Sequence, residues 1–122
     1  MNIEELRSYC LSKKGVTEDL PFGPDTLVFK VMDKMFLLTG MGRPLQFNVK
    51  CDPEKAVALR DEYTCVNPGY HMNKKYWNTI TIDGSVSDKQ LKDWINHSYE
   101  EVVAGLSKTK QKELEVQGEH QK

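Results

Sequence analysis

Apolar residues change period early in the chain, and the change separates a first helix from the first strands. Ile3, Leu6 and Cys10 recur at helical spacing, Asn2 can cap them with Glu5 at the capping-box position, and Lys13-Lys14 precede a stopping Gly15. After the breaker Pro21-Phe22-Gly23-Pro24 the period becomes two. Leu27, Phe29 and Val31 alternate with Val28 and Lys30, Asp33-Lys34 reads as a turn, and Met35 to Thr39 reads as the returning strand of a hairpin. The loop Gly40-Met41-Gly42-Arg43-Pro44 leads into Leu45, Phe47 and Val49, which alternate with Gln46, Asn48 and Lys50. That clean alternation predicts a half-buried strand and hence a sheet with one wet face.

Asp52 is placed to cap a second helix with Pro53 at its first position, continued by Ala56, Val57, Leu59, Arg60 and Tyr63 and ending near Thr64. An irregular passage follows. Trp77 to Asp83 then alternates again around Ile80 and Ile82 and stops at Asp83-Gly84. Ser87 and Gln90 form a second capping pattern, and Leu91, Trp94, Ile95, Ser98, Val102, Val103 and Leu106 trace an amphipathic stripe. That stripe predicts the main core helix. A short helical turn or two is expected around Leu114, and residues 117–122 read as a frayed tail behind a single domain of residues 1–116.

The expected order is therefore α-β-β-β-α-β-α. Short connections between the first three strands favour antiparallel pairing, so the fold class is α+β, a two-layer sandwich with helices on one sheet face. A doubly wound parallel sheet needs a crossover helix after each strand, and the first three strands have none.

Composition narrows the function classes. The chain has 122 residues, 39% of them hydrophobic, enough for one core without staples. Cys10, Cys51 and Cys65 are an odd count with no close pair, which fits buried small apolar residues in a reducing cytoplasm. Glu4 and Glu5 stand where a signal peptide would be basic, and no apolar run approaches the roughly 20 residues that span a bilayer. No membrane partner is expected. A net charge of -1 argues against gripping a polyanion with the whole surface, so any such grip must be local.

Most catalytic patterns are missing. There is no nucleophile elbow, His71, His97 and His120 lie far apart and outside any ligand spacing, and Gly40-Met41-Gly42 lacks the remainder of a phosphate loop. Glu4-Glu5 and Glu100-Glu101 read as solvated acid pairs on helix faces. The expectation is a protein without catalytic residues, cofactor or metal.

One segment stands apart. Tyr70, His71, Asn73, Lys74, Lys75, Tyr76 and Trp77 crowd rings, amide and cations into a stretch, Tyr63 to Ile82, that carries none of the eighteen acids. Lys34 to Cys51 is also acid-free and supplies Lys34, Arg43 and Lys50. Lysine and arginine suit phosphates, planar rings suit stacking and amides suit base edges, so these ten residues form a candidate nucleic-acid surface. With four to six phosphate contacts the log-log salt slope on duplex DNA is about -4 to -5. The same residues also fit a structural brace, with the rings sealing the sheet and the lysines in water. A third possibility is a protein-interaction or chaperone-like adaptor that docks a partner through exposed rings and the sheet face, in a monomer or weak homodimer.

Pro68-Gly69-Tyr70-His71-Met72-Asn73-Lys74 with Trp77, together with Thr17-Glu18-Asp19-Leu20-Pro21-Phe22, Phe29-Lys30-Val31, Lys34-Met35-Phe36 and Ser98-Tyr99, resembles the MmcQ/YjbR family over nearly the whole chain. The resemblance implies a small bacterial protein with a fold related to CyaY-like and secretion-chaperone-like folds. It also implies a DNA-binding role through a double-wing arrangement. His71, Asn73, Lys74 and Trp77 match the family's central motif, while Tyr76 stands where relatives often place histidine, which keeps stacking and removes a proton-transfer group.

Overall fold

The computed structural model describes residues 1–120, which form helix α1 (Ile3–Leu11), strands β1 (Val16–Asp19), β2 (Thr26–Val31), β3 (Lys34–Gly40) and β4 (Gln46–Lys50), helix α2 (Pro53–Glu62), strands β5 (Val66–Pro68) and β6 (Trp77–Thr81), and helices α3 (Asp88–Ala104) and α4 (Lys108–His120). The strands make one sheet in the order β1-β2-β3-β4-β6-β5, antiparallel throughout. The fold is the α+β sandwich that the alternation predicts, with three additions.

Strand β1 was hidden because Val16-Thr17-Glu18-Asp19 is short and polar; it forms at the sheet edge by pairing with β2, and Arg7 of α1 holds Glu18 through a two-pronged ion pair. Strand β5 has only three residues and ends in Pro68, a residue that an edge strand tolerates. Helix α4 is longer than the expected turn or two. Leu114 anchors it against Gly15, where an added Cβ would lie 2.3 Å from Leu114 Cδ1, and Gln111 Nε2 donates to the carbonyls of Val103 and Leu106 at the end of α3. The helix runs to His120 through part of the expected tail, and the last two residues of that tail lie outside the described residues.

The cap signals fold as written. Asn2 and Glu5 close a reciprocal capping box, Asp52 accepts from the Lys55 amide ahead of Pro53, and Ser87 accepts from the Gln90 amide. The β2–β3 turn falls one residue earlier than the sequence suggested, on Met32 and Asp33, whose φ angles of 49° and 68° suit a two-residue hairpin loop.

Register sorts the two sheet faces. Phe29, Leu37 and Val49 align across β2, β3 and β4, and Phe47 aligns with Ile80; these side chains join Leu6, Cys10, Leu91, Trp94 and Ile95 in the core beneath α1 and α3. An irregularity between Phe29 and Lys30 leaves Phe36 extra in β3. Ser98 of α3 answers it: its Oγ donates to the Phe36 carbonyl at 2.5 Å and accepts the Lys50 amide at 2.8 Å. The alternate residues Val28, Leu38, Asn48 and Thr79 align on the opposite face, which carries no helix among the described residues.

All three cysteines are buried, and burial pushes the Cys10 thiol up to about 12 and the Cys51 thiol up to about 11, so neither is a ready thiolate. His97 Nε2 accepts the Asp52 amide at 3.2 Å, tying α3 to the start of α2. Burial, aided by Lys55, lowers the His97 pKa and favours the neutral ring that this bond requires over the ionic contact with Glu101 at 3.4 Å. Among the described residues, no helix is long and apolar enough to cross a membrane.

Candidate nucleic-acid interface

The helix-free face is concave. A cleft of about 480 Å³ lies over Met35, Leu38, Asn48 and Thr79, walled at one end by Phe22 and by Gly40, Gly42 and Pro44, and at the other by Tyr70, His71 and Met72. The first wall comes from the β1–β2 and β3–β4 loops. The second is the β5–β6 loop, which leaves the opposite end of the sheet and folds back across the face. Phe22 is 62% exposed and Tyr70 70% exposed, so two large rings stand in solvent beside a cavity. Among the described residues, no Asp, Glu, Lys or Arg lines it.

A chain of hydrogen bonds gives the cleft floor a fixed polarity. The Tyr70 amide donates to Thr79 Oγ1 at 2.9 Å, and the Thr79 hydroxyl donates onward to Asn48 Oδ1. Asn48 Oδ1 is thereby an acceptor already in use, and its Nδ2 is left as a donor at the cleft. Beside it on β4, Gln46 Nε2 donates to Thr81 Oγ1 at 3.0 Å, leaving Oε1 as an acceptor.

The β5–β6 loop is held from within. Arg60 of α2 donates through Nε to Asn78 Oδ1 at 2.6 Å and through Nη2 to the carbonyls of Lys74 and Trp77, while Asn78 Nδ2 donates to the Ala56 carbonyl at 3.3 Å. Lys74 Nζ donates to the Gly69 carbonyl at 3.1 Å, and Asn73 Oδ1 accepts the Lys75 amide at 3.0 Å, the local bond of an Asx turn. His71 carries a φ of 59°, and its ring centroid lies 4.0 Å from that of Tyr70. Part of the motif is therefore brace and part is surface.

The ten residues singled out in the sequence divide accordingly. Tyr70 and His71 line the cleft. Lys50 and Trp77 are paired across β4 and β6 at the end from which the loop departs, and Lys75 and Tyr76 are exposed next to them, with Lys75 Nζ 5.4 Å from the Tyr76 ring centroid. Lys74 and Asn73 serve the loop's own closure. Lys34 is at the same end but pairs with Val31, whose side chain is in the helix-side core, so it belongs to the other face. Arg43 is exposed at the far end, between cleft residues Gly42 and Pro44. Lys30 is in an ion pair with Asp19 at 3.6 Å. Lys50 and Lys75 thus stand at one end of the cleft and Arg43 alone at the other, separated along the strands by about five residues, or roughly 17 Å.

Phe22, Met35, Leu38, Asn48, Thr79, Met72 and Arg60 were missed as site residues. Phe22 looked like part of a breaker, and the polar positions of β4 and β6 announced only a wet face. Their convergence depends on register between β4 and β6, which no local pattern encodes.

Comparison with known proteins agrees with this architecture. The YjbR family model matches residues 11–101. The uncharacterized protein YbdF of Escherichia coli O157:H7 is 42% identical over 95 residues, covering 77% of this chain and 78% of the relative. The uncharacterized protein YjbR of Escherichia coli (strain K12) is 34% identical over 116 residues, 93% of this chain and 98% of the relative. Among solved structures, Deinococcus radiodurans protein DR2400 superposes with a TM-score of 0.87 at 38% identity over 93% of this chain and 87% of that one, and a Pseudomonas syringae protein does so with 0.70 at 28% identity over 80% and 96%.

Proposed function

Since the chain belongs to the YjbR family over residues 11–101, and its acid-free stretches meet in the middle of one sheet, we propose that it is a non-catalytic module that binds single-stranded DNA across the helix-free face. The observation that carries this reading is the arrangement β3-β4-β6-β5, which joins residues 34–51 and 63–82 into a surface without a carboxylate. Anions are not repelled there. Exposed Lys75 and half-buried Lys50 at one end of the cleft and exposed Arg43 at the other suit successive phosphates, while Tyr70, His71 and Phe22 offer ring faces between them. A single strand fits better than a duplex because the cleft admits flat rings, whereas α1 and α3 pack on the opposite face and present no helix beside these cations.

Fluorescence anisotropy with a labelled single strand tests the reading. Three phosphate contacts give a log-log salt slope of about -2. The double variant Lys50→Glu, Lys75→Glu is expected to abolish binding and to keep the wild-type melting temperature, because neither ammonium group closes the loop as Lys74 does. Absence of binding at low salt, or equal binding by wild type and variant, contradicts the reading. Recovery of a protein partner on the same face in the absence of DNA binding favours the adaptor in its place.

A further inference from the structure

We propose that the cleft is a site for one neutral planar heterocycle that carries a hydrogen-bond acceptor beside a donor, the chemistry of an unpaired nucleobase. The proposal rests on the DNA-binding reading only for the source of that base, a strand; a free nucleoside has the same ring and no phosphate. Three observations lead to it.

The first is charge. A phosphate or carboxylate ligand would call for a cation in the pocket, and none lines it; the cations lie beyond both ends. The second is shape and surface. The cleft measures about 480 Å³, and two rings and two methionines, Phe22, Tyr70, Met35 and Met72, supply flat or deformable apolar contact. That volume is within the range of about 300–1,000 Å³ typical of small-molecule sites and leaves no room for a folded partner. The third is polarity. The Tyr70 amide donates to Thr79 Oγ1, the Thr79 hydroxyl donates to Asn48 Oδ1, and with its oxygen so engaged Asn48 has Nδ2 as the donor at the cleft. With Gln46 Oε1 as its neighbour on the same strand face, the floor offers a donor and an acceptor side by side. The complementary edge is an acceptor next to a donor, as on the Watson–Crick edges of nucleobases.

The test is a two-dimensional amide NMR titration with adenosine, cytidine and uridine at millimolar concentration, run beside two strands of equal length, one with bases and one abasic. At least one nucleoside is expected to move the amides of Asn48, Tyr70, His71 and Thr79, and the base-bearing strand to bind more tightly than the abasic one. Phe22→Ala, a change at an exposed ring, is expected to lower nucleoside affinity at least about fivefold through lost stacking. Asn48→Asp keeps an acceptor for Thr79 but removes the donor, and is expected to weaken binding about tenfold. Amide dispersion like that of the wild type establishes that both variants fold. If no nucleoside moves the cleft amides and the two strands bind equally, the base site is overturned while phosphate binding stands. If nucleosides move the cleft but neither strand binds, the base site stands and the DNA-binding reading falls. Wild-type nucleoside affinity in both variants also overturns the proposal.

Discussion

Ser98 is fully buried in α3, and its hydroxyl serves two backbone groups that no strand partner reaches, the Phe36 carbonyl at the irregular point of β3 and the Lys50 amide at the end of β4. Replacing it with alanine removes one methyl-sized polar group and leaves both unsatisfied. Ser98→Ala is expected to lower stability by about 1–3 kcal/mol in urea unfolding, with the amides of Phe36, Leu37 and Lys50 exchanging faster than those of β2. A loss below about 0.5 kcal/mol would contradict the assignment. At this scale the sequence is partly legible. Ser98 shows as a polar member of an apolar stripe, and Asn48 as a polar alternate of a strand. The polarity that Asn48 presents is not legible, because it depends on Thr79, 31 residues away.

The β5–β6 connection is an element shaped by close contacts. At Gly69 an added Cβ would lie 2.8 Å from Trp77 Cβ, 2.9 Å from the Trp77 carbonyl oxygen and 3.0 Å from Met72 Cβ. Backbone on one side cannot move aside as a side chain can. Gly69→Ala is therefore expected to cost about 1–3 kcal/mol and to loosen the wall made by Tyr70, His71 and Met72, read as a lower melting temperature and faster amide exchange from Tyr70 to Tyr76. An unchanged melting temperature would contradict this account of the loop. Strong elements such as β2, β4 and α3 were legible because one face of each is continuously apolar. Strands β1 and β5 were not, because three or four polar or proline-containing residues gain their order from a neighbouring strand and not from their own pattern. The crowding at Pro68 to Trp77 was visible in the sequence, but its division into brace and surface was not, since Arg60 reaches it from another helix.

Across the whole molecule, acids are missing from four adjacent strands and not from a whole face, since Asp19 of β1 pairs with Val28 on the helix-free side. The net charge is -1, yet the four strands β3, β4, β6 and β5 with the loop before β6 carry no acid, and the carboxylates lie elsewhere on the chain. The sheet order, and not the amount of positive charge, creates the surface, which is why composition could set its locality and not its position. Lys34, on the other face, and Lys74, engaged with the Gly69 carbonyl, leave the contact set; Lys50, Lys75 and Arg43 remain beside the cleft. The central claim is that this helix-free face is where the protein binds. Amide chemical-shift mapping with a short single strand at low salt tests it most directly. The account predicts shifts gathered at Asn48, Thr79, Tyr70, His71, Lys50 and Lys75, with exposed α3 residues such as Lys92 and Asp93 unmoved. Shifts on the exposed side of α3 with a silent cleft, or no shifts at low salt, would contradict it.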